Sequence, residues 1–331
     1  MKIVVTGGLG FIGSHVVEKL VSLNHDVIIV DSVTYAADES LLENFVNENV
    51  KFYKVNIIDR DIVMNLFEHI GHVDGIIHLA AETHVDNSIN DPSIFVKTNV
   101  LGTQNLLDAA LKFNVTRFLH VSTDEVYGHL EMNEPKFTEK TPYNPRSPYS
   151  ASKASSDLIV KSYVSTYGLN AVITNCSNNF GSRQHNEKLI PTVIRSLVNE
   201  QKIPVYGKGN NVRDWLFVED HAEAIVRVFI EGNRGETYNI GGNRELSNLE
   251  LIEKICTLYY EITDPGTLER LEIGDKVKFV EDRKGHDLRY AIDCSKIKGE
   301  LGWVPSENFD QNLKDTVRWY AIKYNANFQG C

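Results

Sequence analysis

Short apolar runs alternate with longer stretches of helical periodicity through the first half of the chain. The short runs are rich in Val, Ile and Phe and end near Gly, Asp or Ser, which predicts strands at 2–6, 26–30, 50–55, 75–79 and 117–122. Between them apolar residues recur every three or four positions, which predicts helices at 11–23, 59–70, 92–113 and 150–167. This alternation is typical of βαβ units, so we expect an α/β fold with a doubly wound parallel sheet.

The second half of the chain has a different character, because Pro and Gly interrupt it and short helices and strands mix. A strand at 170–175 closes the first region, so we expect a main domain at 1–175 and a smaller mixed α/β lobe at 176–331. A strand at 212–218 and the helix after Asp220 predict a short return to the main domain near 210–232.

Charge and cysteine content narrow the class of protein. The 331 residues include 45 acidic and 34 basic ones, and the net charge of −11 argues against a general binder of nucleic-acid phosphates. The four cysteines, at positions 176, 256, 294 and 331, lack the spacing of a zinc site or a redox pair, so we expect no metal. No apolar run reaches the ~20 residues that span a bilayer. No signal-peptide core follows Met1, and we expect a soluble cytoplasmic protein.

A glycine-rich turn follows the first predicted strand. Gly8, Gly10 and Gly13 match G-x-G-x-x-G, and with Gly7 in place of Gly8 the turn also matches G-x-x-G-x-x-G. Such glycines let the pyrophosphate of a dinucleotide approach bare backbone at the start of a helix, although a merely tight turn is the alternative. Asp31 ends the second predicted strand, 18 residues after Gly13, where its carboxylate can accept the adenosine ribose hydroxyls. No arginine follows at once to meet a 2′-phosphate, so the pattern favours NAD over NADP.

The fifth predicted strand leads into a cluster of ionisable residues. Asp124 and Glu125 follow it at the carboxyl edge of the sheet, where open α/β sheets bind their ligands. Tyr149 and Lys153 stand four positions apart on a predicted helix and therefore share one face. We expect the Lys153 ammonium, with the positive nicotinamide ring, to lower the pKa of Tyr149 and make it a base. Singly, these pairs are typical of a solvated turn and a surface helix pair, but their coincidence with a dinucleotide turn favours catalysis.

With these motifs the chain resembles the extended short-chain dehydrogenase/reductases, and among them the nucleoside-diphosphate-hexose 4,6-dehydratases, whose type member acts on dTDP-glucose. The resemblance implies an NAD-binding Rossmann fold, a nucleotide-sugar substrate and a homodimer formed through a four-helix contact of helices 92–113 and 150–167. Sugar-nucleotide epimerases share the glycine turn and the Tyr149/Lys153 pair, but they carry small polar residues in place of Asp124 and Glu125. The motifs that carry the resemblance lie at 79–86, 122–128, 175–179, 187–191, 211–215 and 282–287.

The resemblance also implies a role for each residue of the cluster. Tyr149, assisted by Lys153, takes the proton of the sugar 4-hydroxyl while the C4 hydride moves to NAD. Glu125 removes the C5 proton, and Asp124, kept protonated, gives its proton to the departing 6-hydroxyl. Thr123 hydrogen-bonds the 4-oxygen, and the hydride returns to C6 to give a 4-keto-6-deoxy sugar nucleotide. Adjacent carboxyls in a closed pocket cannot easily both be charged, which is how one acts as acid and the other as base.

Two sets of binding residues follow from the resemblance. The first would line the NAD site: Gly7, Gly10, Phe11, Ile12, Gly13, Asp31, Thr34, Asn56, Ile57, Leu79, Ala80, Ala81, Thr98, Tyr149, Lys153 and Asn179. The second would hold the nucleotide sugar: Thr83, Thr123, Asn178, Lys188, Leu189, Pro204, Val205, Tyr206, Arg213, Asn248, Arg283 and His286. Within it, the guanidinium of Arg213 suits a diphosphate because it forks onto two oxygens, and Tyr206 can pack on the pyrimidine.

Departures from the family pattern leave the exact substrate open. Residues 181–186 replace the usual Gly-Pro-x-x-Phe-Pro, and Asn87 stands where the dTDP-glucose enzymes usually carry Arg, as in the UDP-glucose enzymes. Asn56 replaces a usual Asp but can still meet the adenine. The alternatives are a UDP-glucose or UDP-N-acetylglucosamine 4,6-dehydratase, an NDP-sugar 4-epimerase or decarboxylase, and a non-catalytic NAD-sensing regulator. The Asp124–Glu125 pair argues against the last three.

Overall fold

The computed structural model describes residues 1–45, 49–268, 272–283 and 285–325. Its strands are β1 (Lys2–Thr6), β2 (Asp26–Asp31), β3 (Val50–Lys54), β4 (Gly75–His78), β5 (Arg117–Thr123), β6 (Ala171–Cys176), β7 (Asn178–Phe180), β8 (Ile203–Tyr206), β9 (Val212–Phe217), β10 (Thr237–Ile240), β11 (Glu245–Ser247), β12 (Val277–Val280) and β13 (Arg289–Tyr290). Its helices are α1 (Phe11–Ser22), α2 (Leu42–Phe45), α3 (Arg60–Ile70), α4 (Val85–Asn90), α5 (Pro92–Phe95), α6 (Thr103–Lys112), α7 (Pro148–Tyr167), α8 (Leu189–Val198), α9 (Val218–Glu231), α10 (Asn248–Thr263), α11 (Pro265–Leu268), α12 (Ser295–Leu301) and α13 (Phe309–Tyr324).

Seven strands form one parallel sheet in the order β10-β6-β5-β4-β1-β2-β3. Val4 in the middle of β1 is level with Ile28 of β2 on one side and with Ile76 of β4 on the other. After β3 the chain crosses back past β1 and adds β4 on the other side, which makes this edge a topological switch point where open α/β sheets bind ligands. The predicted doubly wound α/β fold is confirmed.

The main sheet is covered on both faces. The side chains of Ile3, Val4 and Val5 alternate in direction along β1, and all three are fully buried. Ile3 and Val5 belong to one core with Val17 of α1, whereas Val4 belongs to the core on the other face with Phe67 of α3. Parallel strands covered in this way are apolar nearly throughout, which is why short unbroken apolar runs mark them in the sequence.

The helix predicted at 92–113 is interrupted. It begins as α5, continues through a π-helical turn at Val96–Gly102 and resumes as α6. Asn99 is buried in that turn, where its Oδ1 accepts from the Glu82 N–H (2.8 Å) and its Nδ2 donates to the Ser152 hydroxyl (2.9 Å). These partners lie 17 and 53 residues away along the chain, so no local pattern could indicate the turn. π-Helical turns of this kind are frequent at functional sites.

Helix α7 starts two residues before the predicted boundary. Ser147 and Ser150 form a reciprocal capping box, in which each hydroxyl accepts from the other residue's backbone N–H. Pro148 occupies the first helical position, where its missing N–H costs nothing. This fixed start puts Tyr149 in the first turn of the helix.

The second lobe is built around a four-stranded sheet. β9 pairs with β11, β13 and β7, while β8 pairs separately with β12. Helices α8, α10 and α13 enclose a third core that contains Trp215 and Tyr320. β9 therefore lies in this lobe, whereas α9 packs on α1 and β10 joins the main sheet beside β6. The domain boundary after 175 and the return near 210–232 stay predictions.

Two searches of the described residues concern membranes and metals. No helix among them is both long and apolar enough to cross a membrane. They also contain no group of three or more His, Cys, Asp or Glu side chains that could hold a metal ion.

Candidate active site

The glycine-rich turn after β1 leaves its backbone bare. Gly7 has a φ of +71°, and a Cβ there would lie 2.8 Å from the backbone N of Ala80. A Cβ at Gly13 would overlap the carbonyl oxygen of Gly7 and lie 2.8 Å from its carbon. No side chain caps α1 at Gly10, and no acidic residue lies in its first turn. The backbone N–H groups at the start of α1, at Phe11 and beyond, therefore suit the pyrophosphate of a dinucleotide.

Asp31 ends β2, at the position predicted for it. Its Oδ2 accepts from the Leu9 N–H (3.1 Å), and its Oδ1 accepts from the Val33 N–H (2.9 Å). Val33 has a φ of +56°, a left-handed conformation that is rare for a β-branched residue. Burial raises the pKa of Asp31, while these backbone hydrogen bonds lower it. The carboxylate is thus held in one orientation beside the glycine turn.

The other residues predicted for NAD come from several segments. Asn56 follows β3, and its Oδ1 accepts from the backbone N–H two residues further on (3.1 Å). Ile57 is buried beneath the π-helical turn, in which Thr98 lies half-buried. Asn179 is on β7, where its Oδ1 bonds the ring of His221 (2.8 Å). The remaining predicted residues lie in the first turn of α1 and after β2 and β4: Ile12, Thr34, Leu79, Ala80 and Ala81.

β5 and α7 bring the predicted catalytic residues together. Thr123 ends β5, and its hydroxyl accepts from the Glu125 N–H (3.3 Å) at the start of a 3₁₀ turn at Asp124–Tyr127. Tyr149 lies in the first turn of α7, where the charge of Glu125 raises its pKa and the side chain of Thr123 lowers it. Thr123, Asp124 and Tyr149 are buried, and Glu125 is half-buried. The structure therefore contains a compact acid–base cluster at the ligand-binding edge of the sheet.

Asp124 lies in surroundings that favour its neutral form. Its side chain is 2% exposed, and its Oδ2 has no hydrogen-bond partner among the described residues. Burial raises its pKa well above the usual range, and the charges of Glu125 and Asp214 raise it further, although Arg213 lowers it. A raised pKa favours the neutral carboxyl, which is the form that can donate a proton.

Glu125 faces positive charge instead. Burial raises its pKa above the usual value and the charge of Asp287 adds to this rise, while Arg213, Lys188 and Arg283 oppose it. Three cations around one half-buried carboxyl favour its ionised form, which can accept a proton. The two adjacent carboxyls therefore differ in environment in the sense needed for one acid and one base.

The structure corrects the expected effect of Lys153 on Tyr149. Burial raises the pKa of Tyr149 well above 10, Glu125 and Cys176 raise it further, and a hydrogen bond with Thr123 lowers it. The Lys153 ammonium donates to the carbonyl of Val121 (2.9 Å). The predicted lowering of the Tyr149 pKa by Lys153 is therefore not found in the part of the chain that the structure describes. The phenol is deeply buried and lies next to carboxyls, and both effects raise its pKa.

Arg213 differs in its contacts from the expected diphosphate fork. Its Nη1 donates to the carbonyls of Val212 (2.8 Å) and Leu288 (3.3 Å), and its Nη2 donates to the carbonyl of Asp287 (3.0 Å). The guanidinium lies 4.4 Å from the ring centroid of Tyr290. Both terminal nitrogens of Arg213 thus donate to backbone carbonyls, and the guanidinium lies near the carboxyls of Asp124 and Glu125.

Lys188 and Arg283 supply positive charge from two loops of the second lobe. The Lys188 ammonium donates to the carbonyl of Thr83 (3.4 Å), and Arg283 pairs with Asp86 (3.0 Å). Arg283 also lies 4.5 Å above the ring of Tyr206, which is 37% exposed. The ion pair joins the lobe to the segment after β4, and Tyr206 presents a ring on which a flat ligand can pack.

The remaining predicted substrate residues are spread along the lobe. His286 bonds Asp282 through Nδ1 (2.6 Å), and Asn248 begins α10. Burial lowers the pKa of His286, while Asp282 raises it. The others lie at the start of α8, on β8 and on β7: Leu189, Pro204, Val205 and Asn178.

Sequence reasoning missed two buried residues beside Lys153, namely His120 and Asp157. The sequence did contain a signal for Asp157, because it follows Lys153 by four positions and so shares the helix face used to pair Tyr149 with Lys153. His120 lies inside a strand that was considered for its apolar character alone. Its contact with Lys153 depends on how α7 packs on β5, which no local pattern encodes.

Comparison with known proteins places this site among related enzymes. The model of the GDP-mannose 4,6-dehydratase family matches residues 4–316. The dTDP-glucose 4,6-dehydratase of Haemophilus influenzae is 48% identical, over 98% of this chain and 99% of that protein. The corresponding enzyme 1 of Escherichia coli K12 is 46% identical, over 97% of this chain and 92% of that protein.

Solved structures give the same picture. The crystal structure of the dTDP-glucose 4,6-dehydratase DesIV from Streptomyces venezuelae, with NAD bound, has a TM-score of 0.90 and 42% identity, and the match covers 100% of this chain and 99% of that one. A UDP-glucose 4-epimerase from Thermotoga maritima has a TM-score of 0.87 with 29% identity over 98% of this chain and 100% of that one. Dehydratase and epimerase thus share the scaffold, and the dehydratase is the more similar in sequence.

Proposed function

This chain belongs to the GDP-mannose 4,6-dehydratase family, and we propose that it is an NAD-dependent dTDP-glucose 4,6-dehydratase, a lyase that removes water from the sugar. The observation that carries the proposal is the contrast between Asp124 and Glu125, adjacent carboxyls of which one is unpartnered and the other faces cations. An epimerase needs no such pair, because it loses no water. The similarity of the dTDP-glucose enzymes over nearly the whole chain supports the choice of substrate.

Loss of water across C5 and C6 of a hexose requires a base at C5 and an acid at the C6 oxygen. Glu125 takes the C5 proton, and Asp124 donates its proton to the departing 6-hydroxyl. Tyr149 accepts the proton of the 4-hydroxyl in its phenolate form, which the positive nicotinamide ring of bound NAD would favour against the effect of burial, and Thr123 orients the 4-oxygen. The NAD that the glycine turn and Asp31 would hold would supply the hydride acceptor for C4 and the hydride donor for C6. The product is a 4-keto-6-deoxy sugar nucleotide.

The residues around the glycine turn fit NAD. A Cβ at Gly7 or Gly13 would meet backbone, so the tight turn requires glycine at both positions. With Gly10, these glycines leave bare backbone for the pyrophosphate at the start of α1. Asp31, oriented by two backbone N–H groups, accepts the adenosine ribose hydroxyls. Lys153, one helical turn after Tyr149 on α7, would hold the cofactor near Tyr149.

The second lobe fits a nucleoside diphosphate. Lys188, Arg213 and Arg283 contribute three positive charges close to Glu125, and these charges suit two phosphates. Tyr206 offers its ring to the pyrimidine. Asn87 is the feature that speaks for uracil, since the UDP-glucose enzymes share this part of the sequence. UDP-glucose is therefore the second candidate substrate.

The test is to incubate the protein separately with dTDP-glucose, UDP-glucose and UDP-N-acetylglucosamine, with no added cofactor, and to determine product mass and sugar configuration. We expect dTDP-glucose to lose one water, fastest of the three. Loss of water from a UDP sugar alone would overturn the choice of nucleotide. Unchanged mass with an inverted C4 would mean an epimerase, and no turnover of any substrate would overturn the proposal. Asp124→Asn serves as the control that keeps the site's shape.

A homodimer belongs to the same proposal. Val96 in the π-helical turn is 54% exposed and Leu158 on α7 is 58% exposed, so neighbouring helices present apolar surface. Such surface favours a contact with a second copy through α5, α6 and α7. Light scattering at micromolar concentration should give twice the chain mass, and a monomer would contradict the proposal. The cytoplasmic location stays a prediction.

A further inference from the structure

Three ionisable side chains lie buried between α7 and β5, and the proposed reaction uses only one of them. They are Lys153, His120 and Asp157. We propose that His120 and Asp157 form a bridge behind Lys153 that keeps the lysine charged and in place, which makes both of them positioning residues. The inference rests on the proposed function, in which Lys153 acts, but the bridge can be tested without turnover.

Helix and strand periodicity bring the three residues together. Asp157 follows Lys153 by one turn, so both point from the same face of α7. His120 and Ser122 are two positions apart on β5 and point toward that face. His120 and Asp157 are fully buried, and Lys153 is 4% exposed. The arrangement therefore belongs to the interior and is closed to solvent.

The ring of His120 stands between the two charged groups. Its Nε2 lies 3.4 Å from the Nζ of Lys153 and 3.2 Å from the Oδ1 of Asp157. Lys153 also donates to the carbonyl of Val121 (2.9 Å), and the Oδ2 of Asp157 accepts from the hydroxyl of Ser122 (2.9 Å). The Nε2 also hydrogen-bonds the hydroxyl of Ser156 (3.1 Å). Neither the Nδ1 of His120 nor the Oδ1 of Asp157 has a hydrogen-bond partner among the described residues, so the contact between Nε2 and Oδ1 is an electrostatic one.

His120 is neutral in this position, because burial and the charge of Lys153 lower its pKa well below the usual range. Through Nε2 a neutral ring either accepts from the Lys153 ammonium or donates to the Ser156 hydroxyl, depending on which nitrogen carries its proton. In both forms the ring adds no third charge, and its Nε2 lies close to both opposite charges. Lys153 and Asp157 therefore attract each other beside His120.

The attraction offsets the cost of burying the lysine. A buried ammonium without a counter-charge loses its proton readily. Burial lowers the pKa of Lys153 to about 8, and Asp157 is the strongest influence that raises it. In return, burial raises the pKa of Asp157 to about 6, and Lys153 is the strongest influence that lowers it. Asp157 thus extends the pH range over which Lys153 is charged.

Other titratable groups face the bridge, but they do not supply this negative charge. They are His78 from β4, Cys176 from β6, Tyr149 and Lys161 from α7, and Tyr127 and Tyr143 from the segment between β5 and α7. Burial lowers the pKa of the histidine and raises the pKa of the cysteine and the tyrosines, so these groups are neutral near pH 7. Asp157 remains as the anion of the cluster.

The charge of Lys153 can be read by NMR on the protein as purified, labelled with ¹³C at the lysine Cε, with Lys153→Met to identify the signal. In the wild type the signal should titrate near pH 8, with a smaller inflection near pH 6 as Asp157 titrates. In Asp157→Asn the midpoint should fall by about one pH unit or more. At a pH above the midpoint, this lowers the charged fraction of Lys153 about tenfold. The matched control is Glu139→Gln, which alters a half-buried carboxyl bonded to the Asn239 N–H and should leave the midpoint unchanged.

Activity gives a second readout. The alkaline limb of the pH profile of kcat/KM should move to lower pH in Asp157→Asn, so the loss should be larger at pH 9 than at pH 6. Asp157→Glu keeps the charge and should restore the limb. A purely structural role would instead lower activity by the same factor at every pH.

Each outcome decides the matter. An unchanged Lys153 midpoint in Asp157→Asn overturns the bridge, whatever the activity. If that variant does not fold, the wild-type titration decides, because a single midpoint at the ordinary value for lysine also overturns it. A shifted midpoint in a protein that dehydrates no sugar nucleotide would retain the bridge and refute only the proposed function.

Discussion

Replacement of Gly13 by alanine tests the glycine turn most directly. The new Cβ would overlap the carbonyl oxygen of Gly7 and lie 2.8 Å from its carbon and 3.0 Å from the Cα of Gly8. Ordinary carbon–carbon contacts are about 3.5–4.0 Å, so the turn has to move by at least about half an ångström. The turn is held in place by the hydrogen bonds from the Gly7 N–H to Val30 (2.8 Å) and from the Gly10 N–H to Gly7 (3.1 Å).

The expected cost follows from these contacts. Overpacking of this kind costs about 1–3 kcal/mol, and loss of the hydrogen bond that the Gly7 carbonyl accepts costs about 1 kcal/mol more. Alanine in place of glycine within a helix returns about 1 kcal/mol. The net expectation for Gly13→Ala is a free energy of unfolding about 2 kcal/mol lower than that of the wild type. The displaced turn should also bind the pyrophosphate at least about tenfold less tightly, which equals about 1.4 kcal/mol.

Two other glycines provide matched controls. A Cβ at Gly10 would lie 3.2 Å from the Gly7 carbonyl oxygen, so Gly10→Ala should cost less than Gly13→Ala. A Cβ at Gly299 in α12 would meet nothing within 4 Å, so Gly299→Ala should stabilise by about 0.8–1.0 kcal/mol. Urea unfolding and NAD affinity by titration calorimetry measure both effects. If Gly13→Ala matches Gly299→Ala in stability and the wild type in NAD affinity, the assignment of this turn to the cofactor is refuted.

Three further changes test the remaining parts of the site. Tyr149→Phe should lower turnover of dTDP-glucose by about 10²–10⁴-fold, measured as product formed, and a smaller loss would exclude Tyr149 as the base. Because the native pKa of Asp124 is raised, its contribution to stability is present below pH ~4 and is lost as pH rises toward that pKa. The free energy of unfolding of Asp124→Asn, measured by urea unfolding, should therefore fall less between about pH 4.5 and 7.5 than that of the wild type. Equal slopes for the two proteins would contradict this. Arg283→Ala should raise KM for dTDP-glucose at least about tenfold with a smaller change in kcat, whereas an equal fall in kcat would indicate a catalytic role.

Local patterns predicted the strands and helices of the main sheet because neighbouring residues determine these elements. Strand β1, the glycine turn and α1 each depend on neighbouring residues, and the predicted bounds differ from the observed ones by a residue or two. The helix at 92–113 was predicted without its π-helical turn, since Asn99 is held by partners far away in sequence. Elements stabilised by distant contacts are beyond the reach of periodicity.

Spacing and resemblance indicate the proposed catalytic residues, but the sequence does not indicate their ionisation. Spacing indicates that Tyr149 and Lys153 share a helix face, yet the pKa of Tyr149 depends on burial and on Glu125 from another element. Likewise, Arg213 was expected to fork onto phosphate because of its chemistry, whereas the fold surrounds it with backbone carbonyls. Charge state depends on depth and neighbours, which tertiary packing alone decides.

In the proposed reaction, charges of the second lobe help to distinguish the acid from the base. Arg213, Lys188 and Arg283 come from this lobe and act on Glu125, whereas Asp214, next to Arg213 on β9, acts on Asp124. Residues 124 and 125 leave β5 together, so nothing in their own segment distinguishes an acid from a base. The charges differ where the lobe packs over the end of the sheet: Arg213, Lys188 and Arg283 lower the pKa of Glu125, whereas Asp214 raises the pKa of Asp124 against Arg213. Because the same cations are proposed to hold the diphosphate, substrate binding will change the charge around Glu125, and the base strength of the enzyme is coupled to the presence of its nucleotide.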